Sequence, residues 1–193
     1  MAADGFFVLT GGPGSGKTTL INALKSRGFS TTDEAGRCVI REELQNGGEA
    51  LPWVNPADFA ERMFEWELRS FRLAERMDGP VFFDRGLPDT IGYLKLEGLP
   101  VPSSMEEEAW RLRYNRQVVI APPWKDIYGR DEERRQSWDV AVRTWEIMAE
   151  TYQAFDYQLL ELPRGNVDDR INFMLGLIEP DRQHPANRQQ GER

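Results

Sequence analysis

The sequence predicts an α/β fold, a three-layer α/β/α sandwich around a five-stranded parallel sheet. Short apolar runs alternate with stretches of helical period along the chain. The first run passes through a glycine-rich loop directly into a helix, and two later runs end on carboxylates. Strictly alternating strands and helices build parallel sheets covered on both faces, with ligand groups collected at the carboxyl ends of the strands. At 193 residues and 40% hydrophobic content the chain suits one domain with a sizeable core, expected over residues 1–178. Residues 179–193 are rich in Pro, Gln, Asn and Arg and nearly free of apolar side chains, so a disordered tail is expected there.

The loop is the most specific signal. Gly11, Gly12, Pro13, Gly14, Ser15, Gly16, Lys17 and Thr18 satisfy G-x-x-x-x-G-K-[ST] in full. Glycines let successive backbone N–H groups converge on a nucleotide's phosphates, and a helix N-terminus behind them adds its dipole. Lys17 is expected near the β- and γ-phosphates as a catalytic charge, and the Thr18 hydroxyl on Mg²⁺, with Thr19 completing the nucleotide-binding stretch. These residues imply a P-loop NTPase that takes ATP, with GTP not excluded, together with Mg²⁺.

The elements follow in order. A buried strand over 6–10 feeds the loop, and a helix over 19–27 carries Leu20, Ile21 and Leu24 at helical spacing before Gly28. A strand over 29–32 ends at Asp33 and Glu34, and a helix over 35–45 points Val39, Ile40 and Leu44 inward. Asn55 and Pro56 open a long helix to about 77 with Phe59, Met63, Trp66 and Phe71 as bulk. A strand over 80–84, helices over 87–97 and 104–114, and a strand over 117–121 come next. Residues 124–136 are dense in charge and short of apolar periodicity, which predicts a mobile lid. A helix over 138–155, a strand over 158–162 and a helix over 167–178 close the domain.

Asp84 ends an apolar strand, where a P-loop protein places the carboxylate that holds Mg²⁺. Arg85 beside it suits an acceptor's phosphate or carboxylate, or a structural ion pair. Asp33 and Glu34 end another strand; Glu34 is the preferred base or orienting group for an acceptor hydroxyl. Arg37 and Arg41 share a helix face, with Arg37 nearer the crevice as a substrate-binding candidate. In the lid, Arg130, Arg134 and Arg135 are candidates for a guanidinium over the transferring phosphoryl group, with Arg130 and Arg134 foremost.

A net charge of −8 without a basic stripe argues against nucleic acid as the main partner. Cys38 is the single cysteine and His184 the single histidine, which leaves no intrachain disulfide, no thiolate metal site and no catalytic histidine. No signal peptide or long apolar span is visible, so a cytoplasmic protein without a membrane span is expected. The oligomeric state is left open.

Taken together, residues 6–19, 33–42, 79–89, 114–124 and 161–165 resemble the bacterial predicted-ATPase domain of the AAA-domain superfamily, related to the nicotinamide riboside kinase domain and to P-loop small-molecule kinases. The resemblance spans about residues 5–178. It implies a kinase-type arrangement with ATP and Mg²⁺, an arginine-bearing lid, and the Asp84 strand beside the P-loop strand. The Asp84-Arg85 pair is similar to the motif at the same strand end in thymidylate and deoxynucleoside kinases; in the deoxynucleoside kinases the acid after the second strand is an acceptor-side base, a resemblance that supports Glu34. An AAA motor would carry an Asp-Glu pair at the strand end and a second helical domain. The expected activity is phosphoryl transfer from ATP to an unidentified small molecule, the alternative being an ATP- or GTP-binding switch with a protein partner.

Overall fold

A computed structural model describes residues 3–128 and 137–178. The strands are β1 (Phe6–Gly11), β2 (Ser30–Thr31), β3 (Val81–Asp84), β4 (Gln117–Ala121) and β5 (Gln158–Glu161). They form one sheet in the order β2-β3-β1-β4-β5, and every pairing is parallel. The helices are α1 (Lys17–Ser26), α2 (Ala35–Asn46), α3 (Pro56–Ala74), α4 (Leu87–Leu96), α5 (Ser103–Arg111), α6 (Trp138–Ala154) and α7 (Val167–Leu175). Two 3-10 turns, Ala3–Gly5 and Lys125–Ile127, complete the described elements.

The three central strands are buried on both faces, as their unbroken apolar runs require. On one face Phe6, Val8, Val81 and Phe83 pack with Phe64, Phe71, Leu87, Ile91 and Tyr152. On the other, Phe7, Leu9, Phe82 and Val119 meet Leu20, Leu24, Ile171 and Met174. Burying a side chain of this size contributes roughly 1.5–3 kcal/mol, so these two layers supply most of the driving force. Asn55 and Asn166 cap α3 and α7, accepting from the Asp58 and Asp169 amides at 3.2 and 2.9 Å.

Two expectations are corrected. The helix expected over 104–114 ends at Arg111, because Tyr114 is drawn into the core, 5.2 Å from Phe71 and 5.0 Å from Phe83, with its hydroxyl accepting from the Leu87 amide. Leu44 is 62% exposed rather than inward, since the stripe α2 buries is Ala35, Cys38 and Val39. The start of the segment expected as a lid holds the turn Lys125–Ile127, and the Tyr128 ring stands 5.4 Å from that of Trp138. Arg130, Arg134, Arg135 and the tail over 179–193 lie outside the described residues.

Candidate nucleotide and acceptor site

The carboxyl ends of β1 and β3 place the site. β1 pairs with β3 in a register that sets Leu9 beside Asp84, so the P-loop and the Asp84-Arg85 corner leave the sheet together. Gly16, at φ 82°, ends the loop and begins α1. The Lys17 ammonium donates to the Gly11 carbonyl at 2.9 Å, the Gly12 carbonyl at 2.7 Å and the Ser15 hydroxyl at 3.3 Å. The Ser15 hydroxyl in turn donates to the Gly12 carbonyl at 2.8 Å. Pro13 lies in the loop, which is overhung by the Tyr128 ring: a Cβ at Gly14 would fall 2.5 Å from it. Thr18 and Thr19 are exposed on the first turn of α1.

Arg85 organises the acidic side. Its backbone sits at φ 77°, left-handed for a residue with a side chain, and its amide donates to the Leu9 carbonyl at 3.1 Å. The guanidinium donates to Glu34 Oε1 at 3.0 Å, Asp89 Oδ1 at 3.1 Å and the Gly11 carbonyl at 3.1 Å. Glu34 Oε2 also pairs with Arg37 at 2.9 Å. Asp89 accepts further from Thr10 Oγ1 at 2.5 Å, Tyr152 OH at 2.6 Å and the Gly86 amide at 3.0 Å. One network thus ties β1, α2, β3, α4 and α6 to the loop.

The electrostatics sort these groups into different roles. Burial pushes Glu34 up, but Arg85, Lys17 and Arg37 outweigh it and hold the carboxyl at about 2, so Glu34 is an anion at neutral pH. Burial, with help from Arg85, lowers Lys17 to about 8 against the pull of Glu34, Asp84 and Asp89. Burial and the Glu34 charge raise Asp84 to about 6, opposed by Lys17 and Arg85. Glu67, on the buried face of α3, is raised well above its ordinary value by burial and by Asp89 and Asp84.

Asp84 Oδ1 is buried and has no hydrogen-bond partner among the described residues. An unpartnered carboxylate oxygen in a site with the P-loop lysine, together with the hydroxyl of the exposed Thr18, fits a hard divalent cation with oxygen ligands. Mg²⁺ takes only one or two protein oxygens and fills its octahedron with phosphate and water. Among the described residues no group of three or more His, Cys, Asp or Glu is placed to hold a metal ion.

The structure therefore brings the P-loop, Glu34, Arg37, Asp84 and Arg85 to one place, while Asp33 is exposed. Sequence reasoning missed Asp89, Thr10, Tyr152, Glu67 and Arg170. Glu67 and Arg170 did carry a signal: each puts a charge on the apolar stripe of its helix, among Met63, Phe64 and Phe71 in one case and Ile171 and Met174 in the other.

A parallel sheet in this order, with a phosphate loop at the end of its central strand, defines the P-loop nucleotide-binding class, in its kinase-like form. The profile of the family described as AAA domain matches residues 6–170, and the chain belongs to that family. No curated protein matches the chain in sequence. Among solved structures, a NadR protein in complex with NR is similar at TM-score 0.69 and 18% identity, over 96% of this chain and 52% of that one. The chain thus spans about half the length of that relative. Thymidylate kinase from Ehrlichia chaffeensis is similar at TM-score 0.60 and 14% identity, over 92% and 99% of the two chains. Shikimate kinase from Acinetobacter baumannii follows at TM-score 0.55 and 17% identity, over 93% and 95%. Among the described residues no helix is long and apolar enough to cross a membrane.

Proposed function

We propose that the protein is an ATP- and Mg²⁺-dependent phosphotransferase acting on a small molecule. The observation that carries this reading is the meeting of a P-loop lysine, an unpartnered buried Asp84 oxygen and an ion-paired Glu34 at one crevice. A nucleotide's phosphates would take up the Lys17 ammonium and the loop amides. When bound, Mg²⁺ supplies positive charge to the β- and γ-phosphates, with Asp84 and Thr18 as its protein ligands.

Glu34 serves the acceptor. Held near a pKa of 2, it is too weak a base to take a proton fully. It accepts a hydrogen bond from the acceptor hydroxyl and aims a lone pair of that oxygen at the γ-phosphorus. The new P–O bond forms as the bond to the ADP oxygen breaks, and the hydroxyl proton leaves with the phosphorylated product or to water. Arg37, more than half exposed, is placed to meet an anionic group of the acceptor, and Arg85 keeps Glu34 in position. Arg130 and Arg134 are assigned to the transferring phosphoryl group, where a guanidinium contributes on the order of 10³ or more in rate.

Two structural neighbours of the same fold, thymidylate kinase and shikimate kinase, are kinases by name, and this supports the kinase reading over a nucleotide switch. ADP release from ATP and Mg²⁺, measured across nucleosides, nucleotides, sugars and cofactor precursors, tests it. A kinase shows release that rises sharply with one acceptor class. Slow release indifferent to every acceptor points to the switch.

A further inference from the structure

Arg170, in the first turns of α7, is 4% exposed. Its Nη2 donates to the Ser15 carbonyl at 2.9 Å, across 155 residues of sequence, and its guanidinium carbon lies 5.6 Å from the Trp124 ring. Its Nε is buried without a partner, and no carboxylate pairs with it among the described residues. A buried guanidinium normally requires an acid beside it, and burial alone pulls this one below its ordinary pKa. A charge kept at such cost against the phosphate loop calls for a use.

The peptide bond supplies one. In a trans peptide the carbonyl oxygen and the following N–H point in opposite directions. Arg170 grips the Ser15 oxygen from the α7 side, so the Gly16 N–H of the same peptide points away from α7. A charge-assisted bond to the oxygen also polarises the peptide and strengthens that N–H as a donor. A side chain at Gly16 would obstruct the grip, because its Cβ would lie 2.9 Å from Arg170 Nη1. Lys17 holds the Gly11 and Gly12 carbonyls and Arg85 also reaches Gly11, so with Arg170 three cations fix the loop through three of its carbonyls.

We infer that Arg170 is a positioning residue that acts through the Ser15–Gly16 peptide, aiming the Gly16 N–H at the β-phosphate of a bound nucleoside di- or triphosphate. The inference rests on the reading of the loop as a nucleotide site. It assigns to α7 a part in phosphate affinity that is separate from contact with the base.

Calorimetric titration of wild type, Arg170→Met and Arg170→Lys with ATP, ADP, tripolyphosphate and AMP tests it. Loss of one charged bond should weaken ATP, ADP and tripolyphosphate by roughly tenfold or more in Arg170→Met. AMP should change by less than about twofold, and Arg170→Lys should fall between. The Gly16 amide resonance should also move less on ADP addition in the variants. Equal loss for AMP and ATP with tripolyphosphate unaffected would mean that Arg170 serves the base, and overturns the inference. So does wild-type affinity for every ligand in both variants. If Arg170→Met does not fold, the ratio of ATP to AMP affinity in Arg170→Lys decides alone. A wild type that binds none of the polyphosphates sinks the nucleotide reading itself, and the inference with it.

Discussion

Arg85 Nε lies 3.0 Å from Glu34 Oε1, so the residue that follows β3 holds the N-cap residue of α2, and the ends of two neighbouring strand–helix units are locked into one site. Arg85 reaches Glu34, Asp89 and the Gly11 carbonyl together from a backbone at a left-handed φ of 77°. Its removal leaves Glu34 and Asp89 without their shared cation. Arg85→Ala should cost about 3 kcal/mol in urea unfolding, and Arg85→Lys should recover less than half of that, since an ammonium lacks the planar fork. Unchanged stability in Arg85→Ala would show the network to be energetically idle.

The depressed pKa of Glu34 makes a signed prediction. Its folded value of about 2 lies below the ordinary 4.5, so its pairing stabilises the fold above about pH 4.5. That contribution is lost as pH falls from there towards 2. It is worth on the order of 2–3 kcal/mol, reduced by whatever exposure and coupling screen. Wild type should therefore lose more stability than Glu34→Gln between pH 6 and pH 3, measured by denaturant titration at each pH. Parallel losses would contradict the ion-paired state.

Asp84, proposed as a Mg²⁺ ligand, is costly to the ligand-free fold. Its carboxylate is buried among acids with an oxygen unpartnered, so Asp84→Asn should raise the melting temperature of the ligand-free protein by a few degrees, about 1 kcal/mol. The same change should lower turnover by at least ~10²-fold with ATP affinity nearly intact, because the metal acts on charge that develops during transfer. Wild-type turnover in the variant would make Asp84 structural.

Local pattern explains what the sequence showed and what it hid. The P-loop, the Asp84-Arg85 corner and Glu34 are motifs of adjacent residues placed by strand ends, and alternating apolar runs fix those ends. The Asp89 hub depends on Thr10 and Tyr152, 79 and 63 residues away, and no local period links them. Strand β2 is legible only in outline: two residues remain of the four expected, although the Thr32 amide still donates to the Phe82 carbonyl at 3.0 Å and its hydroxyl accepts from the Asp84 amide at 3.2 Å. Leu44 fails because periodicity gives the phase of a helix but not where its partner helix stops.

The arginines proposed for a lid test the rate term apart from binding. Replacing Arg130, Arg134 or Arg135 singly with Ala should lower kcat for the one that meets the transferring group, with ATP affinity held within a few-fold. Arg→Lys at that position should rescue only in part. If all three Ala variants phosphorylate acceptor as wild type does, the lid plays no part in transfer.

The central claim is that this crevice moves a phosphoryl group from ATP to a small molecule. Phosphorus NMR of ATP, Mg²⁺ and the acceptor that most stimulates ADP release follows the γ-phosphate directly. The account predicts a new phosphate-ester resonance growing in step with ADP, abolished by Lys17→Ala and Asp84→Asn. Growth of inorganic phosphate alone, with no ester formed from any acceptor class, would contradict it.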